Sequence, residues 1–411
     1  MTDATQPRTG RGTMLPVVGA LAAALFALLA FASFASAASD PLGSGTTTIK
    51  LNKGFSKLLT KNGVKVLKVS PGKVSGTTVT LPVSGGSLDP TTGQGTVDNS
   101  GGFKFKAGKK NVALKNFVLD TTKKSLSAKL GKKNLKVASV AGLSFTREGF
   151  GTNVKIGKLK LTSKAAKELN TKLGLSGKNG KKGKRASSSK ASSKGVFKAN
   201  QLLGGSASAT QPSTVTIVPG GNATLTTSLP TVAKLAKVGV KIDTVPPTTV
   251  TSAGPPPAYA FPIAGESISP TATAGIVKTT GGLKLVQNLE ELGAVGAGTT
   301  TLTLGSIWVD LGAKTASVEV IVENPKTAKA NLGNLGRSSI ADVSLTGATV
   351  TADPTNHTVS VQNASATLQV VTAETLNSVF VNPIEEATKV PQEKFATGDP
   401  LGTFSFTAQT Q

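Results

Sequence analysis

The stretch "LPVSGGSLDPTTGQGTVDNSGGFKF", Leu81–Phe105, returns 180 residues later as "FPIAGESISPTATAGIVKTTGGLKL", Phe261–Leu285. Extended back to Thr78 and Ala258, the ungapped pair shares ten of 28 positions, among them Pro82/Pro262, Gly95/Gly275, Gly101/Gly281 and Gly102/Gly282. What recurs is turn chemistry, glycine and proline, while Asp89 becomes Ser269. A repeated turn skeleton with changed side chains marks a framework rather than a reaction centre. The similarity runs outward in both directions: "GVKV" at 63–66 answers "GVKI" at 239–242, "VLDTTKKSLSAKL" at 118–130 answers "WVDLGAKTASVEV" at 308–320, and "AKELN" at 166–170 answers "AETLN" at 373–377. Two copies are therefore expected, at 42–175 and 213–381.

Within each copy the short-range period is two. "TVTLPVSGG", "GGFKFKAG", "NVALKNFVLD" and "KSLSAKL" alternate apolar and polar residues between Gly, Asn or Asp punctuation, the pattern of half-buried strands. Two short helices interrupt it. One follows Asn52, with Phe55, Leu58 and Leu59 on one face and Gly63 at its stop, and its counterpart follows Ser228, with Pro230 in the first turn and Gly239 at the stop. The other begins at Ser163 and turns Ala166, Leu169 and Leu173 inward. The expectation is a mainly β protein of two β-sandwich-like domains, each with two short helices. Residues 176–200, rich in Lys, Ser and Gly and without an acidic residue, read as a basic, flexible linker between them. The tail 382–411 reads either as disordered or as adding an edge strand through "GTFSFT".

Residues 1–38 carry Arg8 and Arg11, then an apolar run, then Ala35-Ser36-Ala37, the parts of a secretory signal peptide. Met14–Phe34 is also long enough, at about 20 residues, to stay as an N-terminal membrane anchor. Either reading places the remainder outside the cytoplasmic membrane, in the cell envelope or beyond it. The chain has no cysteine, so its exported part must be held by hydrophobic cores rather than disulfides.

The net charge of +25 is uneven: residues 42–175 carry 25 Lys and Arg against 5 Asp and Glu, and residues 201–411 carry 11 against 14. A polycationic front half attracts polyanions, and Lys181, Lys182, Lys184 and Arg185 are its densest cluster. For an exported chain the expected partner is an anionic envelope polymer or lipid surface, with the membrane itself reached through the N-terminal segment if it is uncleaved. Nucleic acid is not expected, since the basic half lacks the aromatics that stack on bases. The same lysines also serve simply to solvate a β-surface and discourage edge pairing.

An extended start, a short helix headed by "GF", the Leu81–Phe105 turn skeleton and then "ALKNFVLDT" resemble the HtaA domain of exported actinobacterial haem-uptake proteins. The resemblance implies a haem ligated by a tyrosine on the first helix, supported by a histidine past the following strand. Leu58 or Leu59 stands where that tyrosine would fall, and Ala107-Gly108 where the histidine would fall; the second copy offers Lys234 and Leu235 on its helix. The chain's single Tyr, Tyr259, and single His, His357, are the candidates for a nonstandard haem site, against plainer readings as a strand-edge packing residue and a solvated turn residue. Trp308 reads as core or strand surface.

No His lies near a usable nucleophile, and metalloprotease and phosphate-loop motifs are missing. Asp89 and Asp98 read as turn residues, and Asp120, opposite Asp310, as closing a strand-end turn or pairing with a lysine. The expectation is thus a non-catalytic binding module without a cofactor, and the alternative is a haem binding or transport protein.

Overall fold

The computed structural model describes residues 39–175, 195–293, 296–326 and 331–411. The N-terminal segment and the Lys181–Arg185 cluster lie outside these residues. Among the described residues no helix is long and apolar enough to cross a membrane.

The alternating segments form two closed rings of eight antiparallel strands. The first ring runs β1 (Asp40–Leu51), β2 (Thr78–Leu88), β3 (Gly95–Asn99), β4 (Lys110–Asp120), β5 (Ser125–Leu130), β6 (Lys133–Glu148), β7 (Gly151–Leu161) and β8 (Leu202–Pro212). Each strand pairs with the next, and β8 returns to pair with β1. The second ring repeats this order with β9 (Asn222–Thr227), β10 (Ala258–Ile268), β11 (Ile276–Thr279), β12 (Thr299–Asp310), β13 (Thr315–Glu323), β14 (Gly333–Ser344), β15 (Thr358–Leu368) and β16 (Pro400–Gln409). β16 closes it against β9.

The expected β-sandwiches are therefore barrels. A period of two says only that one face of each strand is buried; it does not distinguish two facing sheets from one sheet closed on itself. Closure comes from β8 and β16, which leave neither ring with an open edge. The segment 382–411 accordingly contains a ring strand, with β16 flanked on both sides by β9 and β15.

The same closure relocates the basic segment. Because β8 belongs to the first barrel, residues 176–200 are in chain order an excursion between two strands of that barrel, and the chain passes on to the second barrel at 213–214. The ends of the excursion are pinned: Asn170 Nδ2 donates to the Phe197 carbonyl (2.7 Å) and Phe197 N–H donates back to Asn170 Oδ1 (2.9 Å). Asn377 and Phe395 make the same pair in the second barrel, at 2.9 and 2.8 Å. These asparagines are the final residues of the "AKELN" and "AETLN" segments, so that repeat marks a clasp holding the approach to the closing strand.

Helices sit at matching places in each ring. α1 (Lys53–Lys61) follows β1 and buries Phe55 and Leu59, while α2 (Ser163–Leu173) follows β7 and ends on the left-handed Gly174. α3 (Leu229–Lys237) follows β9, and α4 (Val370–Leu376) follows β15, running through a π-helical turn at 377–381 into α5 (Asn382–Thr388). Gln287, fully buried, donates from Nε2 to the carbonyls of Val238 (2.7 Å) and Phe380 (2.9 Å), tying the end of α3 to that turn.

The recurring Gly-Gly pairs have two separate causes. Gly101 and Gly281 take φ of 71° and 81°, which side chains rarely adopt. Gly102 and Gly282 pass so close to the next strand that a Cβ would lie 2.0 and 2.3 Å from the carbonyl oxygens of Leu114 and Leu304. Asp89 accepts four bonds from Thr91 and Thr92, and Ser269 accepts from the Thr273 and Ala274 amides, so both are turn residues as the sequence suggests. Asp120 and Asp310 likewise close strand-end turns, accepting from Lys123 N–H (2.6 Å) and Ala313 N–H (2.8 Å), and Asp120 also pairs with the Lys123 ammonium at 3.2 Å.

The barrels meet through the β6–β7 turn of the first. Phe150, in that turn, is buried among the core residues of the second barrel, and its ring lies 6.4 Å from His357. The Arg147 guanidinium donates to the main-chain oxygen of Gln411 and to that of Gly149 (3.2 Å). Asp40 Oδ1 accepts from Thr216 N–H (3.2 Å) and Oγ1 (3.1 Å).

Candidate functional site

The second barrel holds a cavity of about 140 Å³ beneath α3 and α4. Its walls are Leu225, Leu235, Leu283, Leu285, Leu302 and Ile340, together with further aliphatic residues and a few Ser and Thr. No ionisable side chain lines it. The four lining threonines spend their hydroxyls on the backbone: Thr227 donates to Pro257 O (2.8 Å), Thr231 to Pro400 O (2.5 Å), Thr372 to Ile340 O (2.8 Å) and Thr375 to Val371 O (2.7 Å). The mouth is apolar as well. Leu335 and Val371, both lining residues, are 47% and 58% exposed.

The register explains why this cavity exists in one copy. Leu283 pairs with Leu304 and Leu285 with Leu302 where the first barrel pairs Phe103 with Leu114 and Phe105 with Val112. Thr231, third residue of α3, answers Phe55, third residue of α1. In the first barrel Phe55, Phe103, Phe105 and Phe197 pack together, with centroids 5.4 to 6.3 Å apart. Replacing three of those four rings by Thr and Leu leaves room in the second. The repeat aligns Phe103 and Phe105 with Leu283 and Leu285 in the sequence, but only the folded geometry shows that these size differences, with that at Phe55 and Thr231, fall on one spot.

α3 is held over the cavity by a charged clasp. Lys234 Nζ lies 2.8 Å from Asp399 Oδ2 and 3.5 Å from Glu393, and is 5.9 Å from the Phe395 ring centre. The hydrogen bond to Asp399 raises the Lys234 pKa. Burial opposes ionisation of Asp399, but the bonds from Lys234 and Ala396 N–H outweigh it and hold its carboxyl below the usual range. A lowered carboxylate contributes stability above its unfolded value near 4 and loses it as pH falls through the folded value; a raised lysine contributes below about 10 and loses it above. The clasp is therefore complete between about pH 4 and pH 10. Asp399→Asn should cost about 1 kcal/mol at pH 7 and nearly nothing near pH 2, read from urea unfolding at both values, since the pair is partly exposed. Equal losses at both values would show that charge is not what holds α3.

The two haem candidates are not brought together. Tyr259 on β10 is level with Leu225 and, across β9, with Phe404. His357 accepts through its carbonyl from Thr410 N–H (2.8 Å), six residues farther along β16. At about 3.3 Å of rise per residue the two lie roughly 20 Å apart along the strand direction. Tyr259 borders a second hollow beside α3, with Val232, Val250 and Pro257. Burial, assisted by Asp243, pushes its pKa up, against the tyrosinate form that iron takes.

His357 does lie in a turn, with φ of 52°, after Asp353 accepts from Thr355 and Asn356 amides. It is not a solvated turn residue. Its Nδ1 is buried without a hydrogen-bond partner among the described residues, its ring lies 6.4 Å from that of Phe150, and burial, then Arg147, lowers its pKa. Trp308 is on the strand surface, its ring between Lys278 Nζ at 4.2 Å and Arg337 Cζ at 3.8 Å.

Haem does not fit the apolar cavity by its donor set, because no Tyr, His, Met, Cys or Lys lines it to ligate iron. Among the described residues there is also no cluster of three or more His, Cys, Asp or Glu suited to a metal.

No protein-family model and no curated protein matches the sequence. A distant structural likeness exists to the C-terminal domain of HtaA from Corynebacterium glutamicum, with a TM-score of 0.32 and 9% identity, covering 42% of this chain and 99% of that domain.

Proposed function

We propose that the protein is a non-catalytic binding protein of the cell envelope whose second barrel takes the aliphatic chain of an anionic amphiphile. The apolar cavity under α3 and α4 carries this reading: its walls are mainly aliphatic, its threonine hydroxyls are bonded to the backbone, and its rim leaves Leu335 and Val371 in water. An apolar pocket with an exposed apolar mouth gains most from a chain that covers both. The lysine excess of 42–200, which belongs to the first half of the chain, supports attraction of the protein to an anionic envelope polymer or lipid surface, with Lys181, Lys182, Lys184 and Arg185 expected to contribute. Export through the N-terminal segment, cleaved or retained, places the protein where such ligands are.

Dansylundecanoic acid titrated into the protein should give a saturable, one-to-one rise in fluorescence. Thr231→Phe with Leu285→Phe, which restores two rings of the first barrel, should weaken binding at least about tenfold, or about 1.4 kcal/mol. Unchanged affinity in that variant would remove the cavity from consideration. The rival haem reading is checked in parallel with haemin: a saturable Soret band lost on Tyr259→Phe or His357→Ala would replace the present proposal. The cationic contribution should appear as retention on a phosphate-rich matrix that fades with added salt.

A further inference from the structure

A second opening lies in the first barrel, and it is polar. β4 changes partner midway: Lys110–Lys115 pair with the strand 102–107, and Val118–Asp120 pair with β3. At the change β4 bulges, with Asn116 at φ of 49°, and β2 is irregular between Val83 and Gly85. Bulges of this kind open the wall of a barrel. Over this seam lies a cleft of about 500 Å³ bordered by Ser84, Asp98, Asn99, Asn116, Ser127 and Lys129.

Asn99 is the informative residue. It is 2% exposed, and its Nδ2 donates to the carbonyls of Val97 (3.2 Å) and Phe117 (3.3 Å). Those two acceptors fix the amide orientation, so Oδ1 is the atom left over, and it has no partner among the described residues. A buried acceptor without a donor costs about 1–3 kcal/mol, which a ligand's hydroxyl or N–H would recover.

The second barrel provides the comparison. By register, Lys278 and Trp308 answer Asp98 and Val118, and Glu319 and Arg337 answer Lys129 and Asn134. There the equivalent positions carry larger side chains: the Trp308 ring lies against the Lys278 ammonium and the Arg337 guanidinium, and Arg337 donates to the carbonyls of Ser306 (2.8 Å) and Ser317 (3.2 Å) at the bulge. Thr279, at the Asn99 position, spends its hydroxyl on Ile307 O at 2.9 Å. The first barrel has a valine where the second has this indole and an orphan acceptor where the second is satisfied.

We propose that this cleft binds a saccharide. The lining mixes carboxamides, hydroxyls, one carboxylate and one ammonium, and neither Asp98 nor Lys129 has an ion-pair partner among the described residues. Groups that both donate and accept, closely spaced on a rigid ring, match such a lining. A polyanion does not, since the Asp98 carboxylate borders the cleft, and one carboxylate is too few for a divalent cation. The site is independent of the apolar cavity, so either can fail alone.

Cellotriose, chitotriose and glucosamine serve as probes, titrated calorimetrically into the whole protein. At least one should bind saturably. Asn99→Thr, which copies the satisfied arrangement at Thr279, should weaken that binding at least tenfold, and Val118→Trp, which copies the indole, should abolish it, both with thermal midpoints close to wild type. Thr231→Phe with Leu285→Phe should leave it unchanged. The proposal is overturned if none of the three sugars binds, if the Asn99 and Val118 variants bind as the wild type does, or if inorganic polyphosphate is the ligand whose binding those variants remove.

Discussion

Phe150→Ala should destabilise the protein by about 3–5 kcal/mol, the range for removing a buried aromatic ring. The residue belongs to a turn of the first barrel yet is 5% exposed within the core of the second. Its loss acts twice: it leaves a cavity in the core of the second barrel, and it removes the ring by which the first barrel enters that core. The polar contacts of Arg147 with Gln411 and Asp40 with Thr216 stay. Burial has already raised the Asp40 pKa and lowered that of Arg147, so both groups are held at a cost and bind weakly without the ring to exclude water. Urea unfolding of the wild type should therefore be one transition and that of Phe150→Ala two, with the second barrel unfolding first. A single transition, shifted by less than 1 kcal/mol, would mean that the barrels are not coupled through this ring.

That coupling was invisible in the sequence, and the reason is instructive. "REGF" at 147–150 offers one aromatic beside a glycine in a polar hairpin, and nothing local says that it packs against residues two hundred positions later. The repeat is legible because turn geometry constrains residue type directly: a Cβ at Gly102 or Gly282 would lie 2.0 or 2.3 Å from the facing carbonyl oxygen, so no other residue fits. Barrel closure was not, because β8 and β16 alternate like any other strand and their partners lie far away in sequence. The basic excursion misled for a related reason. Its composition reports that it cannot build a core, which is true of a loop inside a domain as much as of a linker between two.

The candidate sites were half legible. Aligning the copies put Phe103 and Phe105 opposite Leu283 and Leu285, and Val118 opposite Trp308. Each difference looks like ordinary drift between hydrophobic residues. Only the ring geometry shows that the first set converges on one end of the barrel and the second on a seam in its wall. The two barrels have thereby diverged in complementary ways: rings fill the helix end of the first while its seam stays polar and open, and the second has an open, aliphatic helix end with an indole in its seam.

If the phenylalanine cluster is what fills the first barrel, removing its central ring should create there what the second barrel has naturally. Phe105 is fully buried and touches Phe55, Phe103 and Phe197, at centroid distances of 6.3, 5.4 and 5.9 Å. Phe105→Ala should cost about 3–5 kcal/mol, with the penalty confined to the first barrel because none of these rings reaches the inter-barrel contact. The rings that remain are held by α1 and by the Asn170 clasp at Phe197, which limits how far the wall can collapse. A wall that cannot collapse leaves an apolar void that stays dry and accepts small apolar molecules. Saturating benzene should raise the thermal midpoint of Phe105→Ala and leave the wild-type first barrel unaffected. Phe105→Leu, which reproduces Leu285, should cost far less and give a correspondingly smaller response. If Phe105→Ala loses less than about 1 kcal/mol, or if benzene stabilises it no more than wild type, the wall has collapsed. In that event the size difference at Phe105 and Leu285 would not account for the cavity under α3 and α4.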